Sequence, residues 1–475
     1  MERLNRNLPL VKFEKKMPEK VIMFGEGEFL RAFACLAFDV LNEKKLFNGS
    51  VTIVQPTPEG KIDLIRQQDG LYTVIERGLE NGEKRINTRL ITCVEDCINP
   101  YEDYENYIHK ARNPELRYIV SDTTETGFSC CEGELLSDKP QVSFPGKVTA
   151  FLYERFKFFE GDDKKGLVFL PCEPIENNGD KLKKITEKYA AQWKLEKEFT
   201  EWINEYCVFA NTLTDRIVTG YPREEAEKIF EESGYRDELL NTCELFYFWA
   251  IESARFAGHI KQELPFDKAG LNVIFSDDIS LHRLKKARMF NGAHICLAPA
   301  ALLTGYTTVA EAVGDPMFKK YLEKVLYNEI IPTLDMNRNV LEGFAKSVIT
   351  RFSNPFTGHE LQEITHDCIS KFKARIFPAI FEYQRRFGKI PPILTFSFAA
   401  MIAFYKNGGH IKIADDEKST AFLRDNDLDV IFKNIGFWEV DLLENEELCT
   451  AVEEALRRIK LGGIKNEIMR LSENN

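Results

Sequence analysis

A glycine-rich turn between two apolar runs limits the possible folds of this chain more than any other stretch. The run Lys20–Phe24 predicts a short buried strand, and Ser50–Val54 predicts a second one. Between them, apolar residues from Leu30 to Leu41 recur at helical spacing, directly after the turn Gly25-Glu26-Gly27. Strand, glycine turn, helix and strand in this order predict the first βαβ unit of a doubly wound, Rossmann-type sheet.

Later strand and turn signals extend this sheet. Asn81-Gly82 lies between two strand-like runs, Tyr72–Ile75 and Thr88–Thr92, so we expect a hairpin and an antiparallel extension. Two further buried strands, Arg117–Val120 and Leu167–Leu170, each lead directly into a polar loop. Because ligands of open α/β sheets bind outside the carboxyl ends of the strands, we expect these loops to share one edge with the glycine turn.

The length of the chain predicts two domains, because 475 residues exceed what one ordinary hydrophobic core supports. The sequence pattern changes near Ser280. We therefore expect an α/β protein with a Rossmann-type domain over residues 1–280 and a mostly α-helical domain over residues 281–475. Helical periodicity in the second part predicts helices over 284–303, 308–315, 317–331, 338–351, 359–373, 376–387 and 393–406.

Composition argues against several classes of protein. The net charge of −12 disfavours a nucleic-acid partner, because phosphate binding requires a basic surface. No stretch reaches the ~18 apolar residues of a membrane helix, and residues 1–16 are polar, so we expect a cytoplasmic protein without a membrane partner. The cysteines are scattered without a CxxC pair, which favours reduced thiols and no zinc site. The oligomeric state stays open.

Gly25-x-Gly27 is the candidate site for a dinucleotide. Glycines at such a turn let backbone amides approach a pyrophosphate, and the N-terminus of the following helix favours its negative charge. Leu30 stands where the usual fingerprint has a third glycine, and Val54 is followed by Gln55 rather than by an acidic residue. The turn alone therefore also fits an S-adenosylmethionine enzyme or a plain tight turn.

The stretch Lys286–His294 carries the candidate catalytic residues. On an ideal helix Asn291 lies about 140° and His294 about 80° around the axis from Lys286, so the three share one broad face. Asn291-Gly292 is unusual inside an apolar helix, because both residues are poor helix formers. The set suits proton transfer to and from a sugar carbonyl. The alternative is a surface lysine, a helical asparagine and a core histidine.

Polar segments elsewhere supply further candidates. Thr124-Glu125 follows a buried strand, where the carboxylate could tune a proton donor or the pair could cap a helix. Asp215-Arg216 lies in a loop-like context, where a structural ion pair is the alternative. Positive charge for an anionic substrate, or simply a solvated basic face, comes from Arg351, Lys371, Lys373 and Arg375.

These segments together resemble the long-chain, mannitol-dehydrogenase-like family of polyol and uronate oxidoreductases. The resemblance spans roughly residues 18–410, with the motifs in the same order as in the family. The segments that carry it are Gly25-x-Gly27-x-Phe29-x-Arg31, Thr124-Glu125-x-Gly127, Asp215-Arg216-Ile217, Lys286-x4-Asn291-x2-His294 and Arg351-Phe352-Ser353-Asn354-Pro355.

The resemblance implies an NAD-dependent enzyme without a metal, although the residues do not exclude NADP. It implies the catalytic residues Lys286, Asn291 and His294. It implies a cofactor site formed by Phe24, Gly25, Gly27, Phe29, Arg31, Thr124 and Glu125. The substrate candidates are Asp215, Asn178, Arg351, Lys371, Lys373 and Arg375.

One departure from the family concerns the substrate. Polyol members carry an asparagine two residues after the cysteine of the loop that here reads Cys172-Glu173-Pro174, and Pro174 has no side-chain donor. The role is therefore either vacant or moved to another residue, for which Asn178 is the candidate. Within the family the motifs most resemble the hexuronate branch, which implies reversible reduction of tagaturonate to altronate with Lys286 as general acid and base. The alternatives are fructuronate reduction, oxidation of mannitol or its phosphate, an S-adenosylmethionine-dependent methyltransferase, and a catalytically silent sugar sensor.

Overall fold

The computed structural model describes residues 1–9, 16–123, 127–253, 256–407, 413 and 415–473. The chain divides into two compact units. The first unit comprises Met1–Arg77 and Arg85–Ile279, and the second comprises Gly78–Lys84 and Ser280–Asn475. The strands, in chain order, are β1 Glu19–Phe24, β2 Ser50–Val54, β3 Tyr72–Glu80, β4 Glu83–Ile91, β5 Val94–Ile98, β6 Tyr118–Ser121, β7 Val168–Pro171, β8 Val208–Phe209, β9 Asn211–Asp215, β10 Val218–Gly220, β11 Asn241–Cys243, β12 Phe248–Glu252 and β13 Val273–Ser276.

The first unit is built on a six-stranded parallel sheet. Its strand order is β5-β2-β1-β6-β7-β8, and each neighbouring pair is parallel. This is the order of a doubly wound Rossmann sheet, with the β3–β4 hairpin inserted between the second and third strands of the pattern. The direction of winding reverses between β1 and β6, which makes that boundary the topological switch point. The predicted Rossmann-type fold is confirmed.

Both faces of this sheet are buried. Along β1, Val21 and Met23 belong to one hydrophobic cluster, whereas Ile22 and Phe24 belong to another. Successive side chains of a strand point to opposite faces, so each cluster lies on one side of the sheet. A parallel sheet covered on both faces explains why its strands are continuously apolar in the sequence.

The remaining strands form two further sheets, of order β10-β11-β3-β4 and β13-β12-β9, and both sheets mix parallel and antiparallel pairs. The predicted antiparallel structure is present in the pairs β10–β11 and β9–β12, but in separate sheets, because β3 pairs in parallel with β11 rather than with the six-stranded sheet. The hairpin turn is the predicted Asn81-Gly82, with φ values of 53° and 84°. Two consecutive left-handed residues match the twist of the flanking strands.

Helices surround these sheets in the first unit. A helical segment follows the glycine turn directly and contains a π-helical turn at Arg31–Cys35. The helical segments of this unit are Glu28–Leu30, Arg31–Cys35, Leu36–Glu43, Ile62–Gln67, Tyr104–His109, Lys110–Arg112, Phe144–Phe158, Asp163–Lys165, Asn178–Gln192, Lys197–Tyr206, Ala226–Ser233 and Ala257–Glu263.

The second unit is helical, as predicted. The helix predicted over 359–373 is divided into two, because Asp367 adopts a left-handed φ of 51°. Within the described ranges, no helix combines the length and the apolar character needed to cross a membrane. The helical segments are Ser280–Lys285, Lys286–Asn291, Gly292–Leu302, Val309–Gly314, Pro316–Lys324, Val325–Ile330, Ile331–Thr333, Arg338–Phe352, Leu361–Ile364, Cys368–Arg375, Phe377–Phe387, Pro392–Asn407, Glu417–Asp425, Leu428–Lys433, Ile435–Trp438, Leu442–Glu444 and Glu446–Glu473.

Candidate functional site

The glycine turn of the first unit presents an open helix N-terminus. Gly25 has a φ of +129°, and a Cβ added there would lie 3.0 Å from Leu30 Cδ1. Its amide donates to the Val54 carbonyl at 3.0 Å, which ties the turn to the end of β2. Gly27 begins the helix without a side-chain cap, and among the described residues no atom lies within 4 Å of a Cβ added to it. Backbone and space at this turn therefore fit a phosphate group.

Arg31 and the two phenylalanines predicted to bind the cofactor lie behind the turn. Arg31 is buried and donates from Nε to the Glu26 carbonyl at 3.1 Å and from Nη1 to the Leu239 carbonyl at 2.6 Å. Phe24 is fully buried in the core, and Phe29 stacks on the ring of Phe33. These side chains shape the turn through backbone contacts and packing. The other two predicted cofactor residues, Thr124 and Glu125, lie outside the described residues.

The end of β2 carries an amide where many dinucleotide folds carry an acid. Gln55 is buried, and its Nε2 donates to the carbonyls of Thr57 at 2.9 Å and Pro58 at 3.2 Å. The amide nitrogen therefore holds its own loop. Lys61, in the same loop, lies 3.4 Å from the Glu28 carboxylate of the glycine turn.

Two carboxyl groups at the same edge of the sheet were missed by the sequence predictions. Asp122 follows β6 directly, and Glu173 follows β7 by two residues. The Thr123 amide donates to Glu173 Oε1 at 3.1 Å, whereas the buried Oε2 has no partner. Burial raises the pKa of Glu173 to about 7, and burial raises the pKa of Asp122 to about 6. The available sequence signal was an acidic residue just beyond a buried strand.

Asn178 does not have a free amide for a substrate. It is fully buried, and its Nδ2 lies within hydrogen-bond distance of the carbonyls of Pro171, Glu173 and Thr212. Its Oδ1 accepts from the amides of Gly179 at 3.0 Å and Thr212 at 2.8 Å. We therefore assign Asn178 to holding the loop after β7 and do not retain it as a substrate residue.

Asp215 and Arg216 do not form the ion pair that their sequence neighbourhood allows. Arg216 is buried and pairs with Glu76, and it also donates to the Ala32 carbonyl at 2.9 Å and to the Glu244 carbonyl at 2.8 Å. Asp215 is buried at the end of β9 and is paired in register with Phe248 of β12. The arginine is thus a structural residue, and a substrate role for Asp215 stays a prediction.

In the second unit, the candidate catalytic segment contains a π-helical turn over Lys286–Asn291. The prediction of an ideal α-helix is wrong here. In a π turn the backbone hydrogen bond spans residues i to i+5, so Asn291 lies about one turn beyond Lys286, on the same side of the helix. The position after Asn291 favours glycine, because a Cβ at Gly292 would lie 3.1 Å from Ile376 Cδ1. His294 comes three residues after Asn291 in the α-helix that continues the segment, which keeps all three on one side.

His294 lies in an aromatic setting that keeps it neutral. Its ring stacks on Phe352 at 3.9 Å and meets Phe290 and His359 edge to face at 4.7 Å and 4.9 Å. The side chain is buried, and Nε2 has no hydrogen-bond partner among the described residues. Burial holds the pKa of His294 well below its usual range, and the nearby positive charges lower it further. A neutral imidazole with an uncommitted ring nitrogen remains available to a ligand.

The four basic candidates near this segment differ in their partners. The Arg351 guanidinium lies 3.8 Å from the centre of the Phe290 ring, and Lys371 donates to the Ile364 carbonyl at 3.3 Å. Arg375 is half-buried and has neither a hydrogen bond nor an ion pair within the described ranges. Lys373 instead donates to the Phe437 carbonyl and pairs with Glu439 at 2.5 Å.

The charge around His294 is therefore positive, and two of the cations, Lys371 and Arg375, are half-buried without a carboxylate partner among the described residues. Arg351, Arg375 and Lys371 each lower the pKa of His294. Burial lowers the pKa of Lys371, with the neighbouring Arg375 charge as the next cause. Half-buried cations without a carboxylate partner cost free energy unless an anion arrives, so this side of the second unit suits an anionic ligand.

Sequence comparisons match this chain to one family over most of its length. Residues 19–264 match the mannitol dehydrogenase Rossmann domain, and residues 278–460 match the mannitol dehydrogenase C-terminal domain. Among curated relatives, the altronate oxidoreductase of Bacillus subtilis is 40% identical over 98% of both chains. That of Pectobacterium carotovorum is 40% identical over 98% of this chain and 99% of its own.

Solved structures share the fold. A D-sorbitol dehydrogenase in substrate-free form covers 95% of both chains with a TM-score of 0.80 at 22% identity. The mannitol 2-dehydrogenase of Pseudomonas fluorescens, in a ternary complex with NAD and D-mannitol, covers 97% of this chain and 95% of its own, with a TM-score of 0.73 at 21% identity. With both of its domains matched in order and with full-length relatives at 40% identity, the chain belongs to the mannitol dehydrogenase family of oxidoreductases.

Proposed function

We propose that this protein is an NAD-dependent oxidoreductase that interconverts D-tagaturonate and D-altronate. Full-length relatives named altronate oxidoreductase at 40% identity support the substrate class. The single observation that carries the proposal is the neutral His294 of the Lys286 segment, whose Nε2 has no hydrogen-bond partner within the described ranges and whose pKa is lowered by the nearby cations Lys371 and Arg375. That combination suits a ligand that has both a carbonyl to be polarised and a negative charge to be neutralised.

The first unit would hold the dinucleotide through its backbone. The open amides after Gly27 would receive the pyrophosphate, and the left-handed Gly25 keeps the turn clear of a side chain. When bound, the nicotinamide supplies or accepts the hydride. NAD rather than NADP is favoured because Lys61, in the loop after β2, is already paired with Glu28. A 2′-phosphate would require a cation with spare capacity at that place.

The second unit would move the proton. Lys286, as an ammonium, would give its proton to the developing alkoxide during reduction and, as an amine, would take it back during oxidation. Asn291 lies one π turn away, and nothing in the described residues occupies its amide. Together with the uncommitted Nε2 of His294, this amide would hold the substrate oxygen and stabilise its negative charge.

The substrate carboxylate would bind to the basic groups without partners. Arg375 is the first choice because no anion pairs with it in the described ranges, and its planar guanidinium can bind a carboxylate with two hydrogen bonds. Lys371 comes second, since its acceptor among the described residues is the backbone carbonyl of Ile364. Lys373 is the weakest of the candidates because Glu439 already neutralises it. Uncompensated positive charge favours a uronate over a neutral polyol.

The test is NADH consumption measured side by side with tagaturonate, fructuronate, fructose and fructose 6-phosphate. We expect the highest kcat/KM with tagaturonate, and lower values with the neutral ketose because it leaves the cations uncompensated. A preference for fructuronate or for a fructose substrate would move the assignment to those alternatives. Binding of S-adenosylmethionine, or sugar binding without NADH oxidation, would contradict the dehydrogenase proposal.

A further inference from the structure

Buried carboxylates in the first unit are satisfied almost everywhere. Asp39 accepts from two backbone amides, a threonine hydroxyl and an arginine. Asp237 accepts from two backbone amides and a glutamine amide. The same holds for the partly buried Glu252, in which each oxygen accepts one hydrogen bond, from Asn211 at 2.7 Å and from the Ile279 amide at 2.8 Å. This is the normal behaviour of buried charge, because an unpaired carboxylate oxygen away from water costs several kcal/mol.

Three carboxyl groups at the carboxyl edge of the parallel sheet depart from this rule. Glu26 in the glycine turn and Glu173 after β7 each have a buried Oε2 without a partner. Asp122 after β6 has no hydrogen bond to its carboxyl group among the described residues, and burial alone raises its pKa to about 6. Under-satisfied groups concentrated at one edge indicate a place that is completed by a ligand.

Glu173 is the most strongly constrained of the three. Its side chain is 2% exposed, and Oε1 is fixed by the Thr123 amide at 3.1 Å. Its backbone carbonyl accepts from the Asn178 amide at 3.1 Å, so the loop that carries it is held as well. The unpartnered Oε2 is therefore held in place by its neighbours and is not a freely rotating surface group.

The location of Glu173 in the sheet indicates which half of a bound dinucleotide it would contact. Asp122 lies beside the glycine turn, since its amide approaches the Phe24 carbonyl at 3.4 Å and its own carbonyl lies 3.6 Å from a Cβ added to Gly25. Glu173 follows the adjacent strand β7. In a Rossmann sheet the glycine turn and the strands on its first side take the adenosine half, and the strands beyond the switch point take the other nucleotide.

The protonation state decides what this carboxyl group can do. The groups that act on it are the Asp122 carboxylate, which repels its negative charge, and the backbone amides and Ser121 hydroxyl, which favour that charge. The thiol of Cys172, next in the chain, stays protonated because burial raises its pKa well above the usual value. Burial is the largest cause, and it raises the pKa of Glu173 to about 7. A neutral carboxylic acid carries a proton that it can donate.

We propose that Glu173 acts as a neutral carboxylic acid that donates a hydrogen bond from Oε2 to an acceptor oxygen of the nicotinamide-nucleoside half of the bound dinucleotide. The assignment rests on the proposed dinucleotide function and adds a positioning residue to it. A neutral donor suits this edge, because an ionised carboxylate would repel the pyrophosphate that the glycine turn receives. Ligand binding would also give Glu173 Oε2 the hydrogen-bond partner that the described part of the chain does not supply.

The experiment measures dissociation constants of NADH and ADP for the wild-type protein and for Glu173→Ala, Glu173→Gln and the control Glu252→Gln. ADP lacks the nicotinamide nucleoside, so it reports on the adenosine half alone. We expect Glu173→Ala to weaken NADH binding about tenfold, the value of one hydrogen bond, and to leave ADP binding within about twofold. Glu173→Gln keeps a donor and should bind NADH within about threefold of wild type, as should Glu252→Gln.

The pH dependence provides a second readout. The wild-type affinity for NADH should fall as pH rises above about 7, because the free carboxyl group then loses its proton before it can donate it. Glu173→Gln should remove this fall. Equal NADH affinity in Glu173→Ala and wild type, or a pH response unchanged in Glu173→Gln, would overturn the assignment. A wild-type protein that does not bind NADH would instead contradict the proposed function.

Discussion

The glycine turn of the first unit and the π turn of the second use polar groups in opposite ways. Around the glycine turn, the side chains of Arg31, Gln55 and Asn178 are committed to backbone carbonyls. Around the π turn, His294 Nε2 and the Arg375 guanidinium have no partner among the described residues. The first region therefore offers a fixed backbone shape, and the second offers side chains with unused capacity.

The difference follows from what each region would have to do. A pyrophosphate binds to backbone amides and needs room at the turn, so the surrounding side chains contribute by fixing the backbone. Proton transfer and charge stabilisation require groups that are not yet neutralised. Aromatic packing by Phe290 and Phe352 around His294 keeps water away, which maintains the neutral imidazole without a hydrogen bond. Glu173 departs from this pattern in the first unit, and it is where we infer a side-chain contact with the ligand.

Substitution of Gly25 should have the largest effect on the first region. Gly25→Ala places a side chain at a φ of +129° and 3.0 Å from Leu30 Cδ1, so the turn must change its course. We expect no measurable NADH binding by titration calorimetry. Gly27→Ala is the matched control, because a Cβ there meets open space, and its NADH affinity should fall by less than about tenfold. Similar affinities in the two variants would show that the turn is not the binding element.

Substitution of Arg375 tests the unused capacity of the second region. Arg375→Ala should raise the KM for tagaturonate by about tenfold to a hundredfold, because a charge-assisted pair with the carboxylate is lost. The dissociation constant of NADH should not change. Lys373→Ala is the control, since that lysine is already paired with Glu439, and its KM should stay within about twofold of wild type. Equal increases in KM for both substitutions would contradict the choice of Arg375 over Lys373 as the carboxylate-binding residue.

The two regions should respond to pH in opposite directions. The pKa of Glu173 is raised, so ionisation favours the unfolded state, and stability is lost as pH rises between about 4.5 and 7. The pKa of His294 is lowered from 6.5, so the unfolded state binds the proton more readily, and stability is lost as pH falls below 6.5.

The corresponding variants separate these contributions. When the pH falls from 7.5 to 5.5, His294 should cost the wild-type protein about 1 kcal/mol in its free energy of unfolding. His294→Phe should not show this loss. When the pH rises from 5.5 to 7.5, Glu173 should lower the free energy of unfolding of the wild-type protein by a similar order, and Glu173→Gln should not show this loss. Urea unfolding of both variants and wild type at the two pH values measures this. Parallel pH profiles in all three proteins would argue against buried, perturbed groups at these positions.

Much of the fold could be predicted from local sequence. The strand–turn–helix–strand order around Gly25 and the Asn81-Gly82 hairpin depend on neighbouring residues, and both are confirmed. The π turn over Lys286–Asn291 could not be predicted, because one extra residue per turn leaves the apolar pattern of a buried helix unchanged. The division at Asp367 was also missed, since a non-glycine residue gives little sign of a left-handed conformation.

The site could be predicted only in part, because partners distant in sequence decide the role of each side chain. Lys373 and Arg375 look equivalent in the sequence, and it is Glu439, 66 residues away from Lys373, that distinguishes them. Asn178 looked available until Thr212 and Pro171 were found to occupy its amide. Glu173 was overlooked because a missing hydrogen bond leaves no trace in a sequence.

The most direct test of the account is a single-turnover reduction of tagaturonate by Lys286→Met with NADH already bound, beside the exposed-lysine control Lys320→Ala. We expect Lys286→Met to bind NADH as wild type does, while its rate of hydride transfer falls about a thousandfold, as for loss of a general acid. Lys320→Ala should keep the wild-type rate. A Lys286→Met variant that oxidises its bound NADH within about threefold of the wild-type rate would contradict the assignment of the proton donor.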